Sequence, residues 1–304
     1  MEQISGNELI LRSMQLSVAN GRVGHAYIIC GGKGFGKKTL ARHFAKAVLC
    51  HAPRSGLSCG VCKSCKTCDT GNNPDLVYVQ SEKDALSVGE VRGSLLADLA
   101  VTPQTGERRV YIIQNADKMN HAAQNAMLLS LEDGPKHAVF LLLAEGLGGF
   151  LPTILSRCVE YKIPPIDTDL IGQHLQKQGV DPNKAQIAAN FSQGGIGRAL
   201  ALLDDEEFAA RREMVLKLAQ TITNMDIVEI FAAAKELEAH KEHISDIFDI
   251  LQMHFRDRLV TNPNTDDVGK IHAISSAREK LRANCNFLMT LEILLLKLGG
   301  KYQI

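Results

Sequence analysis

The run Gly31-Gly32-Lys33-Gly34-Phe35-Gly36-Lys37-Lys38-Thr39 has the composition of a phosphate-binding loop. Glycines let successive backbone N–H groups turn toward an anion, and Lys37 stands where a lysine reaches the outer phosphates. The hydrolytic form of this motif then requires Ser or Thr, whose hydroxyl ligates Mg²⁺. Here that position is Lys38. Thr39 comes one residue late, about 100° round a helix, and does not fill the same position. A second motif, an apolar strand ending in acid, should complete the metal and water chemistry. Val110-Tyr111-Ile112-Ile113 ends in Gln114-Asn115 instead, and neither amide replaces a carboxylate as metal ligand or proton acceptor. Asp117 lies past the strand end and is read as the cap of the next helix. ATP or ADP binding is left open by these residues; hydrolysis and a bound Mg²⁺ are not expected.

A second chemistry lies in the cysteines. Five of the eight, Cys50, Cys59, Cys62, Cys65 and Cys68, fall within nineteen residues. Cys-x8-Cys-x2-Cys-x2-Cys, from Cys50 through Cys65, supplies four thiolates on closely spaced turns. That suits a closed, structural tetrahedral Zn²⁺ site. A redox Cys-x2-Cys would come as two cysteines rather than four or five. Cys68 repeats the same spacing, so the choice of four stays open. Cys30, Cys158 and Cys285 sit in apolar surroundings and are expected to be buried small residues.

These motifs need elements to hold them. Asn7 to Asn20 has helical spacing closed by Gly21, and Ala26 to Cys30 is a short apolar strand running into the glycine loop. Lys37 to about Leu49 reads as helix, Leu76 to Val79 as strand and Val88 to Leu99 as helix. Val110 to Ile113 reads as strand, Asn120 to Leu131 as helix and Ala138 to Leu143 as a fully buried strand. Strands alternating with helices imply an α/β domain with a parallel sheet covered on both faces. The character changes at Pro164-Pro165, after which only helical periodicity remains. A small unit ends at Gly194-Gly195-Ile196-Gly197 and the helix Arg198 to Leu203. Ile244, Ile247, Phe248, Leu251 and Phe255 line one apolar face, and Phe287 to Leu298 is apolar nearly all round. The division predicted is 1–163, with the cysteine insert at about 50–68, then 164–205 and 206–304.

Lys+Arg and Asp+Glu balance at 34 each in 304 residues, which argues against a chain whose main task is gripping nucleic acid, although a local basic patch stays open. No run of eighteen apolar residues exists and the start lacks a signal-peptide pattern, so a cytoplasmic chain is expected, with no membrane partner.

Taken together, the motifs resemble the clamp-loader family of AAA+ proteins over most of the chain. Gly21 to Tyr27 leads into the glycine loop as in that family, and the cysteines occupy its zinc insert. Ala123 to Pro135 is similar to its "ANALLKTLEEPP" helix, and Leu151 to Cys158 ends in its Ser-Arg-Cys signature. By themselves Arg157 and Arg198 are ordinary surface arginines. The resemblance implies that Arg157 acts in trans on ATP held by an adjacent motor subunit. It also implies that Arg198 is the sensor arginine of a helical lid, and that a first sensor has been lost at Ala144. The final domain would join a five-membered collar with motor and delta subunits, and the assembly would place a sliding clamp on primed DNA. This chain would then be its ATPase-inactive member. Two other readings stand beside it: an active motor ATPase of the same family, and a non-enzymatic zinc and P-loop scaffold.

Overall fold

The computed structural model describes residues 7–80, 88–96, 98–263 and 266–302. They fall into two compact units, Met1–Leu203 and Asp204–Ile304.

In the first unit five strands form one parallel sheet in the order β2-β3-β4-β1-β5. These are β1 (Ala26–Cys30), β2 (Leu76–Val79), β3 (Arg109–Ile113), β4 (Ala138–Ala144) and β5 (Val159–Lys162). Every residue of β1, β3 and β4 is buried, as in parallel strands covered on both faces. Tyr27 and Ile29 pack beside Met14 of α1 (Glu8–Ala19) and beside Leu40, Ala41 and Phe44 of α2 (Lys37–Val48). The alternate residues Ile28 and Cys30 face the opposite layer. There they join Met127 and Leu131 of α5 (His121–Glu132) and Ile154 of α6 (Pro152–Leu155). A parallel sheet with a helical layer on each face is the α/β architecture that the sequence leads one to expect. Cys30 is in register with Ala144 on one side and Lys162 on the other, and the Gly31 N–H donates to Ala144 O at 3.1 Å. The glycine loop therefore leaves the sheet between β4 and β5, at the carboxyl ends of the strands, where open α/β sheets bind ligands.

Two elements differ from expectation. β5 is not apparent in the sequence because Val159, Glu160 and Lys162 are exposed; as an edge strand paired only with β1, it carries no continuous apolar run. The helix expected at 88–99 is regular only over α4 (Val88–Glu90), continues as a π-turn through Val91–Leu96, and has a 3₁₀ turn at Asp98–Ala100. Val91, Leu95 and Leu99 still reach the core.

The rest of the first unit is a small helical cluster with its own core around Ile171, Leu175, Ala185 and Ala199. It comprises α7 (Thr168–Lys177), α8 (Pro182–Phe191) and α9 (Ile196–Leu203). The Asp181 side chain accepts from the Asn183 and Lys184 N–H groups, and Pro182 takes the first helical position, where its missing N–H costs nothing.

The second unit is all helical: α10 (Glu206–Thr221), α11 (Ile227–Glu238), α12 (Ile244–Thr261), α13 (Asp267–Arg282) and α14 (Phe287–Leu298). Ile247, Phe248, Leu251 and Phe255 are buried along α12 as their spacing predicts. α14 buries Leu291, Leu294, Leu295 and Leu298 but leaves Met289 60% exposed. Cys285, expected inside, is exposed: it lies in the turn before α14 and packs against no core. Cys30 is buried and Cys158 half-buried. No helix among the described residues is long and apolar enough to cross a membrane.

Candidate functional site

Gly34 and Gly36 adopt left-handed φ angles of 75° and 80°, and Gly36 is the N-cap of α2. Such backbone is where glycine costs least. Lys37 is curled onto its own loop, its Nζ donating to Gly31 O at 2.5 Å and Gly32 O at 3.0 Å. Burial lowers its pKa, against the opposing fields of Glu145 and Asp117. Lys38 is exposed with its ammonium 5.9 Å from the ring centre of Tyr78, and Thr39 is exposed as well. Gln114 Nε2 donates to Gln80 Oε1 at 2.9 Å.

Asp117 does not cap the next helix. Asn120 does so, its side chain accepting from the Ala123 N–H, because Met119 separates the 3₁₀ turn Ala116–Lys118 from α5. Asp117 instead accepts the Glu145 N–H at 3.1 Å, tying the ends of β3 and β4 together beside Lys37.

The loop is roofed by the start of α9. Gly197 N–H donates to Gly34 O at 2.9 Å, and a side chain at Gly34 would run into Arg198 N and Cβ. A Cβ at Gly195 would lie 2.6 Å from Lys33 O. Gly31, Gly34, Gly36 and Lys37 thus meet Arg198 backbone against backbone. A phosphate in this cradle would have to turn Lys37 away from the loop carbonyls.

Arg157 lies elsewhere. It directly follows Ser156, the residue closing α6. Its Nη1 donates to Thr153 O at 2.9 Å and Ser156 Oγ at 3.1 Å, and its Nη2 lies 2.5 Å from Glu132 Oε1. Tyr27 pairs with Val159, so Arg157 sits just before the start of β5, at the amino ends of the strands. The glycine loop is at the carboxyl ends, about 17 Å away along a five-residue strand. The segment just before α6, which leads to Arg157, is fixed by Gln124, a fully buried side chain. Its Nε2 donates to Met119 O at 2.9 Å and Gly149 O at 2.7 Å, and its Oε1 accepts the Leu151 N–H at 2.8 Å. Sequence reasoning gave no role to Gln124 or Glu132. A lone glutamine on the apolar face shared with Met127 and Leu131 was the available signal for the first.

The cysteine cluster forms at the end of α2. The sulfurs of Cys50, Cys59, Cys62 and Cys65 all lie within 4.8 Å of one another, with Cys59 and Cys65 at 3.9 Å. Tetrahedral zinc has bonds of about 2.3 Å, which puts its sulfurs about 3.8 Å apart, so the set fits. Gly60, at φ 75°, turns the chain between Cys59 and Cys62, and Cys62 caps α3 (Lys63–Asp69). Backbone N–H groups of Cys59, Cys62 and Cys65 donate to the sulfurs of Cys50, Cys59 and Cys62 at 3.2 to 3.4 Å. Bonds from the Val61 and Cys62 N–H groups favour the thiolate of Cys59, whose pKa falls to about 6, whereas burial raises that of Cys65. Cys68 is outside the cluster. It is 1% exposed in the core with Met14 and Phe44, and burial raises its pKa.

The model of the family described as DNA polymerase III, delta subunit, matches residues 6–167, more than half of the chain. The chain belongs to that family. Among curated relatives, DNA polymerase III subunit delta' of Bacillus subtilis is 32% identical over 219 residues, covering 71% of this chain and 66% of the relative. The Pseudomonas aeruginosa subunit delta' is 38% identical over 46% of this chain and 43% of its own. DNA polymerase III subunit tau of Escherichia coli is 31% identical over 66% of this chain but only 32% of its own length. The chain thus spans less than two thirds of these relatives. A Thermotoga maritima structure described as a DNA polymerase III gamma subunit-related protein is similar over 95% of this chain and 98% of that one, at 18% identity and a TM-score of 0.47.

Proposed function

We propose that this member of the family is a delta-prime-type clamp-loader subunit. In this reading it is a stator that does not hydrolyse ATP but supplies Arg157 to a neighbouring motor subunit. The opposite placement of Arg157 and the glycine loop carries the reading. A guanidinium at the amino ends of the strands cannot serve phosphates bound at the carboxyl ends of the same sheet. It is half-exposed just after α6, whose approach is braced by Gln124, as a group acting on another chain would be. Lys38 and the pair Gln114-Asn115 remove both sources of metal binding and water activation from the chain's own loop.

The domains at 1–163, 164–205 and 206–304 would then be the AAA+ domain, lid and collar segment. The last would join motor and delta subunits in a hetero-pentamer that places the sliding clamp on primed DNA. Zn²⁺ would be held by Cys50, Cys59, Cys62 and Cys65 and would serve structure, cross-linking the end of α2 to α3. The likeness to tau favours a second reading, an active motor subunit, but it leaves Lys38 without a purpose.

Reconstitution with motor and delta subunits tests the choice. Turnover stimulated by clamp and primed DNA should persist when this chain's Lys37 is changed to Ala and should fall when Arg157 is. The reverse pattern would favour the motor reading.

A further inference from the structure

The zero net charge conceals a strong segregation. Between Glu8 and Asp69 the chain has ten Lys or Arg and no Asp or Glu, so the other residues carry ten more acids than bases. The fold does not scatter this charge. α1, α2 and α3 cover the same side of the sheet, the side opposite α5 and α6. The insert is fastened to both helices: Gly56 packs on the backbone of Gln15, and Arg42 donates to the Cys68 and Asp69 carbonyls at 3.0 and 2.7 Å. Eight of the ten cations are exposed, and six of these lie on α1, α2 and the insert: Arg12, Lys38, Arg42, Arg54, Lys63 and Lys66. The carboxylate that ends the run, Asp69, is paired with Lys46 at 2.6 Å, leaving the others uncompensated from within the run.

From this layer we infer a second anion-binding surface: α1, α2 and the zinc insert form a face that docks along the phosphate backbone of duplex DNA. The inference rests on the chain being a replication subunit, but it concerns a different face from that bearing Arg157. Point charges on short helices match a repeating anion, which gains affinity by releasing condensed counterions and needs no sequence readout. Single strands would demand a row of aromatic platforms for the bases. Among the described residues of this layer, Tyr78 beside Lys38 is the exposed aromatic, and one ring makes no row. The insert would thus have a purpose beyond stabilising the fold: it carries Arg54, Lys63 and Lys66 out from α2.

The test uses the intact, zinc-loaded chain alone, with fluorescence anisotropy on a random-sequence duplex between about 50 and 200 mM salt. The double variant Lys63→Gln/Lys66→Gln should bind more weakly, with a log–log salt slope shallower by about two units, near 0.9 for each phosphate no longer neutralised. A second variant, Arg12→Gln/Arg54→Gln, should do the same from outside α3, which guards against local damage to the zinc module. A control, Lys177→Gln/Lys184→Gln, removes equal charge from exposed positions on α7 and α8 and should leave the slope unchanged. An unchanged slope in both test variants would overturn the inference, as would an equal change in the control. An acidic protein as the occupant would give that first result. Neither ATP nor a partner subunit enters the measurement, so its failure would not touch the role proposed for Arg157.

Discussion

Arg157 and Glu132 are joined within the single chain, Nη2 to Oε1 at 2.5 Å, and the side chains are 35% and 42% exposed. A pair this open to solvent contributes about 1 kcal/mol or less. It can aim the guanidinium without holding it against a phosphate. Arg157→Ala should therefore leave folding, zinc content and assembly intact while lowering the clamp-stimulated ATPase of a reconstituted loader. If Arg157 serves a neighbouring motor subunit, that subunit's site should lose on the order of 10³-fold or more, and the whole assembly only a fraction. Lysine should rescue poorly, because an ammonium cannot bridge two oxygens as a guanidinium does. Full turnover and clamp loading in an assembled Arg157→Ala complex would refute the trans role.

The partner separates aiming from folding. Glu132→Gln should change the denaturant midpoint by less than the equivalent of about 1 kcal/mol. If the pair aims Arg157, the loader's turnover should change by more than that stability loss explains. A drop in midpoint with unaltered turnover would make the pair an ordinary surface bridge.

For the cysteines the expected result is one zinc per chain. Cys62→Ser should lose it, whereas Cys68→Ser should keep it, since Cys68 is core and not cluster. Apparent binding energies in zinc-finger peptides run to about 10–16 kcal/mol, so chelators should act slowly and should loosen the insert before the sheet. Metal analysis under reducing conditions checks this; full zinc in Cys62→Ser, or none in the parent, would count against it.

Gln124 offers a prediction about the brace. Gln124→Leu removes one acceptor and two donated bonds at a fully buried position, stranding Met119 O, Gly149 O and the Leu151 N–H. Each stranded group costs about 1–3 kcal/mol when water cannot reach it, so a loss of about 3 kcal/mol is expected in urea melts. A loss under about 1 kcal/mol would mean that the loop at 149–151 is not held by this side chain.

Much of this was legible because burial writes itself into composition. β1 and β4, and β3 beyond Arg109, are continuous apolar runs because both faces are covered, and the glycine loop announces its own backbone. The cysteine spacing located the cluster and pointed to Cys50, Cys59, Cys62 and Cys65 but could not dismiss Cys68, which repeats the same three-residue rhythm; only the packing of α3 on Met14 and Phe44 sends Cys68 inward. β5 escaped because an edge strand needs apolar residues on one face at most. Asp117 departs from the expected cap because an acid near a helix start has two outlets, and here the Glu145 N–H just past β4 won. Glu132 was invisible as a partner, since a bridge between α5 and the end of α6 depends on tertiary placement that no local pattern encodes.

The glycine loop carries the last prediction. Lys37 is bonded to the loop carbonyls, Gly197 to Gly34 O and Asp117 to the Glu145 N–H, so Lys37 would have to leave its own loop before it met a phosphate. Calorimetry should show no ATP binding, or weak binding that responds little to Mg²⁺. Lys38→Thr should not by itself restore metal dependence, because Gln114 and Asn115 still lack a carboxylate and the roof over Gly34 is unchanged. Gly195→Ala should act on the roof instead: its Cβ would meet Lys33 O at 2.6 Å, forcing α9 to shift. That variant should be less stable and, if the roof excludes nucleotide, should bind ATP more tightly than the parent. Strong Mg²⁺-dependent binding by the unaltered chain would mean that Thr39 or Asp117 has taken over the metal site, and the stator reading would lose its chemical basis.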